Sequence, residues 1–121
     1  MGRLGFLAAV ALLASCVSNG RPEDLHCDQP TISLSAQLAH DSFEPSSLAA
    51  CRGQQVSLSV TIAQDGVLHI HGYDEQAKEV RSGETATFDF LADHSGQFVI
   101  ELHNAAHPSG LSLGIFTVYE P

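Results

Sequence analysis

Imidazole is the side chain with the most chemistry to offer in this sequence. There are seven histidines, all after residue 25. His69 and His71 stand two residues apart, so on a strand their rings share one face, with Tyr73 next along it. His103 and His107 follow later in the chain, and Asp74 and Glu101 supply carboxylates that can ligate an ion or orient a ring. Imidazole and carboxylate together form a ligand set for copper or zinc. A histidine on a strand is more often only solvated or hydrogen-bonded, so a metal role for His69, His71 and His103 needs the rings to converge. A pH-responsive cluster is a further reading, since free imidazole titrates at about 6.5. His26, His40 and His94 lie in polar or turn-like stretches and read as bystanders.

Sulfur is scarce. The only methionine is Met1, and the three cysteines are Cys16, Cys27 and Cys51. The 121 residues suit one domain, and 44% hydrophobic content is enough for a core. Five Lys and Arg against 14 Asp and Glu give a net charge of −9, which excludes the basic patch that nucleic-acid binding requires. Such a charge suits a domain that repels anionic surfaces or attracts cations. There is no nucleophile elbow, phosphate loop or His-Glu-x-x-His helix, so the expectation is a binding protein and not an enzyme.

The N-terminus reads as an address. Met1-Gly2-Arg3 is a short positive start, and Leu4 to Ala14 are eleven residues without charge, too few to cross about 30 Å of bilayer. The stretch ends in Leu13-Ala14-Ser15-Cys16, which resembles a bacterial lipobox. That resemblance implies removal of residues 1–15, acylation of Cys16, and a bilayer-anchored protein of the bacterial cell envelope, on the outer membrane where the cell has one. Acyl chains contribute about 0.8 kcal/mol per buried CH₂, so two already anchor stably. An ordinary cleaved signal peptide is the alternative. Without residues 1–15 the chain has 106 residues, and the loss of Arg3 takes the charge to −10. Residues 16–30 then read as lipidated Cys and tether, and 31–121 as the domain.

The elements that must position the histidines are strands. Ile32, Leu34, Ala36 and Leu38 alternate with polar residues, as do Val56, Leu58, Val60 and Ile62, then Ala86, Phe88 and Phe90, and then Phe98, Ile100 and Leu102. Leu111, Leu113 and Ile115 open the last run. Strict alternation means one buried and one solvated face. Turn signals separate the runs at Phe43 to Ser47, Arg52-Gly53, Gln64 to Gly66, Ser82-Gly83, Asp93 to Gly96 and Pro108 to Gly110. Ser46 to Ala50 has the composition for a helical turn, and no longer window carries a helical stripe. The pattern predicts an all-β sandwich. In an exported chain with Cys16 acylated, the remaining pair Cys27 and Cys51 is expected to bridge, a redox or metal thiol pair being the alternative.

The run Phe43-Glu44-Pro45-Ser46-Ser47 to Gly53, with the Val56 to Val60 strand, resembles the early part of a cupredoxin. Val80 to Phe90, Ala92-Asp93 and Gly96-Gln97-Phe98 resemble the later turns and strands of that family. The resemblance covers most of residues 31–119 and implies a Greek-key β-sandwich of seven or eight strands. The segment His69 to Asp74, with Glu101 to His103, is similar to cupredoxin-like lipoproteins that lack the blue-copper signature. A blue site needs two His, a Cys thiolate and a weak axial Met. Here Leu102 stands at the Cys position and Leu111 near the Met position, the chain without residues 1–15 has no Met, and Cys27 and Cys51 lie far from this loop in sequence, so a blue centre is excluded by inventory. His69 matches the first copper His, although an alignment shifted by three residues puts Gly66 there, and His107 matches the second. The resemblance further implies that these regions meet at one end of the sandwich. The expectation is a non-blue, His-rich site of His69, His71, His103 and His107 for copper, with zinc less favoured. The alternative is a metal-free cupredoxin acting as a structural or interaction module of the envelope. A redox accessory to metal uptake is a third reading.

Overall fold

The computed structural model describes Gly2, Gly5, residues 20–39 and residues 41–121. Apart from Gly2 and Gly5, the expected signal segment lies outside the described residues, as do Cys16, the expected site of acylation, and His40. The described chain is all β, in nine strands: β1 (Thr31–Ala39), β2 (Ser42–Glu44), β3 (Ser47–Cys51), β4 (Gln55–Thr61), β5 (Gly66–Ile70), β6 (Ala77–Val80), β7 (Thr85–Leu91), β8 (Gly96–His103) and β9 (Leu111–Tyr119). They form two sheets in the orders β2-β1-β4-β7 and β3-β9-β8-β5-β6. The sandwich matches the expected class, with two more strands than the lower expected number because the short pieces β2 and β6 pair at the sheet edges.

Alternation decides which side chains meet between the sheets. Val56, Leu58 and Val60 of β4 and Phe88 and Phe90 of β7 face Leu68 and Ile70 of β5, Ile100 and Leu102 of β8, and Leu113, Phe116 and Val118 of β9 across one core. Burying a side chain of this kind stabilises by roughly 1.5–3 kcal/mol. At the open edge, Lys78 of β6 donates to the Thr87 carbonyl of β7 and lies 5.3 Å over the Phe88 ring, linking the two sheets.

Two local expectations are corrected. Ser47 to Cys51 is strand β3 and not part of a helical turn, because parallel pairing with β9 buries Leu48 and Ala50. The last run also does not keep its phase. Ile100 pairs with Gly114 and Glu101 with Ser112, so Leu113 is one residue too many and forms a bulge. Beyond it Phe116 points inward and Ile115 outward, 40% exposed.

The N-terminal segment is held on the domain from Gly20 onward. Cys27 and Cys51 form a disulfide, with Cα atoms 5.4 Å apart. Gln54, the one buried polar side chain among the described residues, donates from Nε2 to the carbonyls of His26 (2.9 Å) and Gln29 (3.0 Å). Its Oε1 accepts from the Cys51 N–H at 2.8 Å. Leu25 is buried alongside, and Tyr119 Oη donates to the Gly20 carbonyl at 3.1 Å.

Tyr73 belongs to this core, against Phe90, Phe98 and Phe116. Its hydroxyl donates to the His94 carbonyl at 2.8 Å. Burial pushes its pKa above the ordinary phenol value, and the nearby Asp93 charge adds to the rise. The folded state therefore favours the neutral phenol. This contribution is fully present below the ordinary value, about pH 10, and is lost as pH rises through the higher folded value. In urea unfolding, the stability of wild type relative to Tyr73→Phe is expected to fall as pH is raised above 10. A difference that stays constant across that range contradicts this account.

Candidate metal centre

Strands β5 and β8 are antiparallel, with His69 opposite Glu101 and Val67 opposite His103. Leu68, Ile70, Ile100 and Leu102 are completely buried, so the residues between them point away from the core. His69, Glu101 and His103 therefore share the outer face of the five-stranded sheet. This corrects the expectation that they meet at an end of the sandwich. The antiparallel register sets them side by side on the solvent face instead.

His71 reaches the same place by a different route. It lies just beyond β5, where its N–H donates to the Val99 carbonyl at 3.0 Å. A turn follows, closed by Tyr73 N–H to the Ile70 carbonyl at 3.1 Å, with Gly72 at φ 82°. A side chain there would be strained, and a Cβ would stand 2.3 Å from the Phe98 ring. The turn breaks the period of two. His71 stays outside, whereas Tyr73 swings into the core and does not share the histidine face, contrary to expectation.

Three imidazoles converge as a result. Each of His69, His71 and His103 offers a ring nitrogen, and these nitrogens all lie within 4.8 Å of one another. The His69 and His71 ring centroids are 4.6 Å apart. Carboxylates stand against all three rings. Glu101 Oε1 contacts His71 Nε2, and Glu101 Oε2 lies 3.5 Å from His103 Nε2. Asp74 Oδ1 lies 3.0 Å from His69 Nε2. A ring that donates to Asp74 from Nε2 keeps the Nδ1 lone pair for an ion, the arrangement by which carboxylates orient metal-binding histidines. The Glu101 side chain is only 18% exposed, against 48% for His71 and 37% for His103. The carboxylate thus forms the floor and two of the imidazoles the rim.

Gly110 makes room for this floor. A Cβ at that position would stand 2.1 Å from Glu101 Oε2 and 3.1 Å from His103 Nε2. The sequence marks Pro108-Ser109-Gly110 only as a turn, and nothing in its pattern tells that the missing side chain clears a pocket. The loop is closed through His107, whose N–H donates to Asn104 Oδ1 at 2.9 Å and whose carbonyl accepts from Gly110 N–H at 3.0 Å. The His107 ring is not among the converging donors. His94 is also apart from them. It stacks on Tyr73 with centroids 4.3 Å apart and bonds the Gly72 carbonyl through Nε2 at 2.8 Å, which braces the turn after His71.

The chemistry of the donors fits a transition-metal ion and does not fit a blue-copper centre. Leu102, at the position the resemblance assigns to the thiolate, is buried in the core between Glu101 and His103, which point the other way. Cys51 pairs with Tyr119 at the opposite end of β9 from Leu111, and its sulfur is taken by Cys27. Nitrogen and oxygen donors are what the outer face provides. An open groove of about 580 Å³ beside Tyr73 and His94, and one of about 600 Å³ beside Leu25 and Glu120, are not lined by the three histidines.

The architecture is that of a cupredoxin-like domain, and solved structures share it. One is the reduced auracyanin of the photosynthetic bacterium Roseiflexus castenholzii, with 18% identity, 71% of this chain and 95% of that chain covered, and a TM-score of 0.56. A second is the metal-binding domain of the Cu(I)-exporting P-type ATPase CopA of Streptococcus pneumoniae, solved with Cu(I), with 13% identity, 79% and 93% covered, and a TM-score of 0.59. A third is the copper nitrite reductase of Nitrosomonas europaea, with 14% identity, 74% of this chain but 42% of that one, and a TM-score of 0.57. At such identities the likeness establishes the fold and leaves the function to the residues. No protein-family model and no curated protein matches the chain.

Proposed function

We propose that this chain is a lipid-anchored, extracytoplasmic copper-binding protein with a non-blue, nitrogen-rich site formed by His69, His71 and His103. The observation that carries this reading is the convergence of three imidazole nitrogens within 4.8 Å, with carboxylates against every ring. A four-coordinate ion with metal–nitrogen distances of about 2.0–2.1 Å needs donors roughly 3.3 Å apart. Rotation of the His71 and His103 side chains, 48% and 37% exposed, would supply that contraction. Auracyanin, the copper nitrite reductase and the CopA domain, each similar in fold, support copper over zinc. The anchor rests on Cys16 in its lipobox-like setting. Its role is to hold an ion for storage, delivery or sensing in the cell envelope, and not to turn over a substrate.

Titration of the mature domain with copper and with zinc, read by electron paramagnetic resonance and absorbance, tests this. One ion per chain is expected, with nitrogen hyperfine coupling and no intense blue band. Failure to bind copper more tightly than about 10 μM, a dissociation constant equivalent to roughly −6.8 kcal/mol, sinks the proposal. The metal-free interaction module is the reading left in that case. What favours it is that Glu101 and Asp74 already give the imidazoles partners.

A further inference from the structure

We infer that Glu101 is a ligand and not merely a brace, and that the centre takes copper as the divalent ion in preference to the monovalent one. This rests on the proposed metal-binding role and adds the ion's charge state to it. The position of Glu101 comes first. It lies directly opposite His69 in the sheet register, and its two oxygens address His71 Nε2 and His103 Nε2 separately. A carboxylate that only oriented one ring would sit behind it, as Asp74 does with His69. Glu101 sits among the rings, so an ion that collects the three imidazoles meets its oxygens in the same space.

Two features of the backbone serve this placement. The bulge at Leu113 falls beside the pairing of Glu101 with Ser112, where bulges re-aim side chains. Gly110 leaves open the volume occupied by Glu101 Oε2, which any larger residue would fill. Its φ of 95° also lies in the left-handed region that favours glycine.

The donor set then selects the ion. Monovalent copper prefers soft thiolate and thioether sulfur, whereas tetragonal nitrogen and oxygen sites suit the divalent ion. Among the described residues the sulfur atoms are those of Cys27 and Cys51, joined to each other. The negative charge of Glu101 in a half-enclosed site also offsets a double positive charge more than a single one. The centre therefore differs in ion preference from a sulfur-rich copper carrier, although the fold is shared with copper proteins.

The test is competition titration of the mature domain, with cupric sulfate against a nitrogen chelator in air, and with cuprous ion against bicinchoninate under anaerobic reduction. Cupric affinity is expected to exceed cuprous affinity by about tenfold or more. Glu101→Gln is expected to weaken cupric binding by more than the about 10–100-fold that loss of a group which only orients a ligand costs, to alter the paramagnetic spectrum, and to change cuprous binding by less than about threefold. Equal or tighter cuprous binding overturns the inference and leaves the metal-binding role standing. Equal weakening of both ions by Glu101→Gln, or none, overturns the ligand assignment. Binding of neither ion overturns both the inference and the role. The comparison of the two ions on the unmodified domain decides the charge state without any variant, so a folding defect in Glu101→Gln does not block the test.

Discussion

Replacing His71 and His103 together by alanine is expected to weaken copper binding by about a hundredfold or more while leaving the fold in place. Loss of a single group that only orients a ligand lowers metal affinity by about 10–100-fold, so loss of two ligands sets the hundredfold as a lower bound. That factor corresponds to about 2.7 kcal/mol of binding free energy. The fold survives because both rings lie on the outer face, 48% and 37% exposed, and fill no part of the core. Surface substitutions of this kind change stability by about 0.5 kcal/mol, with a further small cost for the partners that Glu101 loses. Isothermal titration and urea unfolding on the same preparations separate the two effects. Retention of affinity within threefold sinks the assignment of these rings as ligands. His107→Ala is the informative companion. Its ring stands outside the converging group, so a comparable loss there would extend the centre into the loop.

The second large effect concerns stability. Replacing Cys27 and Cys51 by serine is expected to lower the unfolding free energy by about 3 kcal/mol, since the bridge joins residues 24 apart in sequence and restricts the unfolded chain. The loss is not confined to entropy. Gln54 binds the carbonyls of His26 and Gln29 on one side of the bridge and the Cys51 N–H on the other. Without the bridge, the segment from Gly20 to Gln29 is held by those hydrogen bonds and by Leu25. Gln54→Ala alone leaves a buried Cys51 N–H unpartnered, at a cost of about 1–3 kcal/mol. The two changes act on one junction, so their sum is expected to depart from additivity in a double-mutant cycle. Copper affinity is expected to stay unchanged, because Cys51 neighbours Tyr119 while His103 lies at the other end of β8. Less than 1 kcal/mol of destabilisation refutes the structural role given to this bridge.

Much of the sandwich was legible in the sequence, because a half-buried strand has to alternate. Val56 to Thr61, Thr85 to Phe90 and Phe98 to His103 show that period and are strands β4, β7 and β8. Ala77 to Val80 shows no such period, because β6 is an edge strand with one buried residue, Val80. Alternation from Leu111 and Leu113 places Ile115 inward, whereas the structure turns it outward, since a bulge changes register without leaving a mark in composition. Ser47 to Cys51 was open to a helical reading because its burial comes from a partner, β9, more than sixty residues away. At the site, the shared face of His69 and His71 was readable from spacing, yet Tyr73 was not, since Gly72 reverses the chain between them.

What the sequence determined by itself was an inventory and a period. One methionine at the first position and three cysteines, of which Cys27 pairs with Cys51, leave no free sulfur for a blue centre among the described residues, and alternation commits the domain to two sheets around one core. What only the tertiary structure decided was the side of the sheet on which the histidines meet. The register of β5 against β8 sets His69, Glu101 and His103 on the solvent face, and the glycine turn returns His71 to it. Spacing along one strand fixes relative facing within that strand, whereas neighbours across strands depend on a register that only long-range pairing can set.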